Sequence, residues 1–369
     1  MNGDGGAGAG VGKEGARKLS SGQIDAKYVG RARHLFTGLF GLLDKYEDAA
    51  ELAAMNHKKR GRPYMYPHSL MMAIATLRHA LNLDFRSCEG MVEACAEGKA
   101  PDHSTICRRI NALDVAVMDG AGGGKKVISD PHFTIEVVPD GTGLTPARRS
   151  EYVRVVHKLR RGFVRLSILI NKETLEIVSF AVTDDRTGEP AVFKDLLEDG
   201  LRNLGIDPEE RRREVREGSG GSGADSGRAH PRIVMTADGG YDTRRIFSIC
   251  RELGITTHIR VRTNSGCRAR GVDRARSLAV LDQLGGENAT PAKLAAMDDK
   301  EREANRKLWK ERVNYGTRWL VEIVISAFKR KYGDSVRAKK MQNVIQEIRQ
   351  KIRVYNDMLR VGGEAAMRA

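Results

Sequence analysis

The chain has 369 residues, 40% of them hydrophobic, enough to bury one large core and a smaller one. Its formal charge of +15 points to a polyanionic partner, nucleic acid first. Five cysteines, odd in number and without a CxxC pair, argue against a disulfide framework or a zinc site. No apolar run approaches the ~20 residues that span a membrane, and the opening MNGDGGAGAGVGKEG lacks the apolar stretch of a signal peptide.

The first segments read as helices. Residues 1–20 form a Gly/Ala-rich leader expected to be disordered. Leu35, Leu39, Leu42 and Leu43 recur at helical spacing within 24–56, and the basic tract HKKRGRP follows. Three short helical patterns come next, near Pro67–Leu81, Phe85–Glu97 and His103–Leu113, with Asp102 placed to cap the third. That third pattern carries Arg108 and Arg109, so residues 21–118 read as a helical, helix-turn-helix-like unit that binds DNA. DGAGGGKK (Asp119–Lys126) lacks the spacing of a phosphate loop and reads as a hinge.

Beyond the hinge the pattern turns to strands. FTIEVVPDGTG ends in Asp140, and GFVRLSILINKETLEIVSFAVTDD is a hairpin turning around Asn171–Thr174. A helix (PAVFKDLLEDGLRNLG) and an aperiodic stretch beginning PEERRREVREG follow, the latter expected to be a surface loop. RIVMTADGGYD is a buried strand ending at Asp238, TRRIFSICRELG a helix and THIRVR a strand. Residues 263–300 read as irregular, and the remainder as helical. The order gives an α/β fold, a mixed sheet flanked by helices.

NYGTRWLVEIVISAFKRKYGD places one acid, Glu322, inside an apolar run. On a helix, Arg318, Glu322, Ser326 and Lys329 share a stripe about 80° wide with Tyr315, and apolar residues cover most of the rest. A helix packed nearly all round, with one polar slot, is the expectation. Asp140 and Asp238 each close a β-branched strand and each precede glycine, where backbone and ligand can approach closely. Three carboxylates meeting at such a rim cannot all stay ionised without a cation, and a hard divalent metal suits oxygen ligands. Asp184, Asp185 and Asp242 compete as ligands.

The spacing Tyr315-x2-Arg318-x3-Glu322-x6-Lys329, with DGTG at Asp140 and ADGGYD at Asp238 upstream in order, resembles the Y-R-E-K type of insertion-sequence DDE transposase. The likeness covers about residues 60–355. At one point the chain departs: relatives often carry a His-Asp pair after the third strand, where Gly188-Glu189 stands here.

The resemblance implies a ribonuclease-H-like catalytic domain over 127–360, with a short insertion at about 263–300. It implies Asp140, Asp238 and Glu322 as catalytic metal ligands for two Mg²⁺ ions, or Mn²⁺. Metal-dependent cleavage at element ends and strand transfer into target DNA would follow. Arg318 and Lys329 would grip phosphates, Tyr315 would stack on a displaced base or bond a phosphate, and Arg160 and Arg161 would extend the DNA path. Double-stranded DNA, as terminal inverted repeats and as target, is the expected partner. A homodimer on that DNA is expected because two element ends must be handled, in the cytoplasm at the nucleoid and with no membrane. A non-enzymatic DNA-binding regulator derived from such an enzyme is the alternative. The helical leader is expected to be separable from the catalytic fold.

Overall fold

Asp102 acts as its position before an apolar-periodic segment predicts: its carboxylate accepts the Ser104 and Thr105 N–H groups at 2.9 and 3.0 Å and starts a helix. The computed structural model describes residues 49–95, 100–117, 134–146, 163–218, 231–262, 274–286 and 289–367. The leader, the glycine hinge, Arg160 and Arg161 lie outside the described residues.

Four helices open the described chain: α1 (Ala49–Asn56), α2 (His68–Ala80), α3 (Phe85–Cys95) and α4 (His103–Asn111). The last three close on a shared core that includes Leu70, Ile74, Leu77, Cys88, Ile106 and Ile110. The short helical patterns of the sequence are therefore real and packed. Cys88 and Cys250 are buried free thiols, as the count of cysteines suggests.

The sheet uses β1 (Thr134–Pro146), β2 (Val164–Asn171), β3 (Ile177–Thr183), β4 (Arg232–Ala237), β5 (Thr256–Ile259) and the short β6 (Ser335–Val336). Its order is β3-β2-β1-β4-β5, with β6 on the far end of β1. β1, β2 and β3 run antiparallel, and β1, β4 and β5 run parallel. β2 is buried along nearly its whole length, which is why its sequence is an almost unbroken apolar run.

Helices flank this sheet: α5 (Glu189–Asn203), α6 (Pro208–Gly218), α7 (Arg244–Glu252), α8 (Arg274–Val280), α9 (Pro291–Ala296), α10 (Asp299–Arg312), α11 (Leu320–Tyr332) and α12 (Met341–Met367). Phe193 and Leu197 of α5, Phe247 of α7, Val324 and Phe328 of α11, and Ile348 and Ile352 of α12 enter the sheet's core. Five strands in this order, flanked by helices, are the ribonuclease-H-like arrangement that the resemblance implied.

Two expected loops are helical. α6 occupies the start of the stretch read as aperiodic. It has no apolar stripe because arginines anchor it: buried Arg211 donates to the carbonyls of Leu253 (2.6 Å) and Pro231 (3.1 Å), and Arg212 pairs with Glu198. The stretch 263–300, read as irregular, contains α8, a single π turn and α9 where it is described. Val261, Val280, Leu284 and Leu294 give it a small core of its own. Helices of six or seven residues are too short to print a clear period in sequence.

The helical unit packs against the sheet through α12. α12 belongs to both cores, with Val344, Ile348 and Ile352 in the sheet's and Val354 in the helical one. Its Gln350 meets buried His79 at 3.0 Å and donates to the Ile110 carbonyl at 2.8 Å. Burial, helped by the Arg78 charge, holds the His79 pKa down to about 3, so this contact is neutral. From the chain at and just beyond the end of α11, exposed Lys331 donates to the Ala80 carbonyl (2.8 Å) and exposed Arg337 to the Leu83 carbonyl (3.1 Å), tying it to the helical unit.

Asn356 is the deepest polar member of this seam. Fully buried, its carboxamide accepts the Ile177 N–H at 2.9 Å and donates to the Ile177 carbonyl at 2.9 Å and to the Val117 carbonyl at 3.2 Å. Truncation leaves three backbone groups unpaired without water. Asn356→Ala should therefore lower stability by about 2–4 kcal/mol, read from the urea midpoint at unchanged slope.

Candidate active site

Parallel pairing brings the two aspartates to one level. The last β1–β4 pair is Val137 with Met235, and Asp140 and Asp238 each stand three residues further along. β1 does not end at Asp140, as its sequence suggested: it runs on, pairing Asp140 with Ile168 of β2. β4 does end, and Asp238 caps the 3-10 turn Gly239–Tyr241, accepting the Gly240 N–H at 2.8 Å. Among the described residues, the Asp140 carboxylate accepts its neighbour's N–H, that of Gly141, at 2.8 Å.

The Asp140 pKa is pushed up to about 6. Burial is the main cause, and the carboxylates of Glu189 and Asp238 push the same way. The Gly141 N–H and the Arg318 guanidinium oppose the shift. Arg318 stands 3.8 Å from Asp140 and pairs more closely with Glu322 one turn on. The guanidinium thus bridges the first and third acids of the sequence motif.

Glu322 lies in the first turn of α11 with its side chain 56% exposed. This helix is not packed all round: Val321, Val324, Phe328 and Tyr332 are its buried face, while Trp319, just before it, and Ile323 are exposed. Among the described residues, no three His, Cys, Asp or Glu side chains gather closely enough to hold one ion.

Tyr315 departs from its expected role. Asn314, in the left-handed region at φ 50°, turns the chain into a 3-10 turn that starts at Tyr315. The Tyr315 ring is buried and lies 5.2 Å from that of Trp309, and its hydroxyl donates to the Ala237 carbonyl at 3.0 Å. Burial pushes its pKa up to about 12. It is a strut fixing the start of the Glu322 helix to the end of the strand that carries Asp238.

The other predicted contacts sort by exposure. Arg108 is exposed on α4, whereas Arg109 is half-buried, donating to the Tyr66 carbonyl at 3.1 Å with its guanidinium 4.5 Å from the Tyr64 ring. Lys329 is half-buried in the last turn of α11. Of the competing acids, Asp184 accepts the Thr187 N–H at 2.9 Å in a turn, and Asp242 is fully buried against Arg276 at 2.6 Å. Neither belongs to the cluster around Asp140.

Sequence reasoning missed an open cleft of about 620 Å³ beside Asp238, lined by Arg260, Lys310, Tyr315 and Arg318 among others. Arg260 follows β5 and Lys310 sits on α10, so nothing in the linear pattern joins them. It also missed Glu189, whose carboxylate lies against Gly141 and 3.7 Å from Arg165.

Two family models, each described as a transposase DDE domain, match the chain over residues 137–356 and 41–144. No curated protein matches it. Among solved structures, the Drosophila P element transposase strand transfer complex is 11% identical, covering 87% of this chain and 70% of that one at a TM-score of 0.30. A pre-cleavage Mos1 transpososome is 13% identical, covering 73% and 81% at 0.21. A Mos1 mariner paired end complex with Mn is 11% identical, covering 84% and 89% at 0.22. Superpositions this loose say nothing about shared geometry.

Two outcomes follow from the site's electrostatics and packing. Tyr315→Phe removes the strut's hydrogen bond and should lower stability by about 1 kcal/mol while leaving DNA affinity unchanged in a binding titration. A loss of affinity without a loss of stability would restore Tyr315 as a DNA contact. Asp140 is favoured in its protonated form by folding, so its contribution is complete below its ordinary 3.8 and is lost as pH rises through about 6. In metal-free protein, wild type should lose about 1–2 kcal/mol relative to Asp140→Asn between about pH 4 and pH 7, after allowance for partial solvation. Thermal unfolding of the pair across that range checks the sign.

Proposed function

The chain belongs to the transposase DDE domain family, and from that premise we propose that it cuts DNA at element ends and joins them to target DNA by metal-dependent phosphoryl transfer. The observation that carries this reading is the convergence on Arg318 of Asp140 and Glu322, with Asp238 level with Asp140 on the neighbouring strand.

The donor set suits a hard divalent ion: three carboxylates, no thiol, and a guanidinium now bridging two of them. Asp140, Asp238 and Glu322 would hold it. Two Mg²⁺ ions, or Mn²⁺, supply an activated water and a stabilised leaving oxygen when bound. The residues of the chain do the rest. Arg318, released from the acids, neutralises a phosphate next to the scissile bond, and Arg260 and Lys310 lead the strand past Asp238 along the cleft. Lys329 grips a phosphate further along α11. Hydrolysis of the phosphodiester leaves a 3′-hydroxyl on the element end. That hydroxyl displaces a 3′-oxygen of target DNA in line, exchanging one phosphodiester for another without ATP.

The helical unit at 21–118 is assigned to end recognition, with Arg108 presented to DNA; Arg160 and Arg161 extend the path. The catalytic unit is 127–360, with its insertion at about 263–300. The protein acts as a homodimer on nucleoid DNA in the cytoplasm, one subunit per element end. Among the described residues, no helix is long and apolar enough to cross a membrane. The second reading, a DNA-binding regulator without catalysis, draws on the exposure of Glu322 and its pairing with Arg318.

Nicking of DNA carrying the flanks of the host locus separates the two. With Mg²⁺ the wild type should cut, while Asp140→Ala, Asp238→Ala and Glu322→Gln should each lose about 10³-fold or more, at least ~4 kcal/mol of barrier, and still bind DNA. A variant that cuts at the wild-type rate removes its residue from the site. Wild-type protein that binds the ends and never cuts them leaves the regulator.

A further inference from the structure

Glu189 is the first residue of α5, where an acid suits the helix dipole, and it enters the Asp140 site from the side opposite the sequence motif. A Cβ built on Gly141 would lie 2.3 Å from the Glu189 Oε1. Only a residue without a side chain lets this carboxylate rest against the backbone next to Asp140. Arg165 of β2 approaches it at 3.7 Å, the two side chains each about three-quarters buried.

A second group faces the same spot. Tyr241, in the turn that Asp238 caps, is 1% exposed, and its ring meets that of Phe193 on α5 edge-on at 5.7 Å. Its hydroxyl is buried with no hydrogen-bond partner of good geometry among the described residues. Burial, followed by the nearby carboxylates of Glu189 and Asp140, pushes its pKa well above the usual phenol value. A buried hydroxyl beside the Glu189 carboxylate, without a well-formed bond to it, has room for a further polar group.

Around this spot Asp140, Asp238, Glu189 and Glu322 face Arg165 and Arg318, with Arg260 and Lys310 further along the cleft beside Asp238. Each arginine holds one outer acid, Glu189 on one side and Glu322 on the other, with Asp140 between them.

We propose that Glu189 is a fourth carboxylate of the site, joining Asp140 in holding the divalent cation, with the Tyr241 hydroxyl orienting it. The proposal rests on the reading of Asp140 as a cation ligand.

The test is Mn²⁺ binding to the full chain without DNA, followed by calorimetry and by the electron paramagnetic resonance of free Mn²⁺. Glu189→Gln should weaken binding by about tenfold or more, Glu189→Asp should recover most of it, and Tyr241→Phe should lose a few-fold. Asp140→Asn serves as the reference for loss of the site. Wild-type affinity in Glu189→Gln, alongside a loss in Asp140→Asn, overturns the role of Glu189 and leaves the site itself standing. Equal binding by wild type and Asp140→Asn overturns the reading of Asp140, and this inference with it. Should Glu189→Gln fail to fold by circular dichroism, Gly141→Ala replaces it. The added methyl displaces the Glu189 carboxylate, and the same tenfold loss is expected; unchanged binding again overturns the proposal.

Discussion

The parallel pairing of β1 with β4 is the constraint on which the rest of the site depends. Hydrogen bonds between Thr134–Val137 and Arg232–Met235 set a register in which Asp140 and Asp238 leave adjacent strands at the same height. Paired strands lie about 4.8 Å apart, and the Asp238 carboxylate adds the smallest of the contributions that raise the Asp140 pKa, after burial and Glu189. The two strands then part company: β1 stays in the sheet against β2, and β4 gives way to a turn. That divergence opens the rim at which the cleft and the acids meet.

Like charges so close need compensation, and the protein supplies it from both sides. Arg318 and Arg165 reach in from α11's approach and from β2, each paired to an acid flanking Asp140. Asp140 itself pays the desolvation cost by leaning toward its protonated form. Tyr315 makes this geometry reproducible. Its hydroxyl ties the approach to α11 directly to Ala237, the residue before Asp238, so the third acid cannot drift independently of the second.

α12 imposes a comparable constraint at larger scale. One helix fills a hole in each of two cores, and Asn356 satisfies backbone groups of β3 and of the segment after α4 with a single carboxamide. Lys331 and Arg337 add clamps from the chain just beyond Glu322. The helices assigned to end recognition and the sheet that carries the acids are therefore joined by packed side chains and not by the glycine hinge alone.

What the sequence determined by itself was local: β-branched runs, a cap at Asp102, helical periods, and the ordered acid-glycine and Y-R-E-K motifs whose likeness to a family carried the fold. Those signals depend on neighbours in the chain, and they are legible because strand and helix periods differ. Tertiary structure alone decided that Arg318 holds acids, that Tyr315 is a buried strut, and that Lys331 and Arg337 reach the carbonyls of Ala80 and Leu83. It also decided that charged α6 is a helix and that Glu189 sits against Gly141. A polar side chain takes its role from whichever group the fold brings opposite it. For Tyr315 that group is 78 residues away in sequence, and for Arg337 it is 254. No local pattern carries information over such distances.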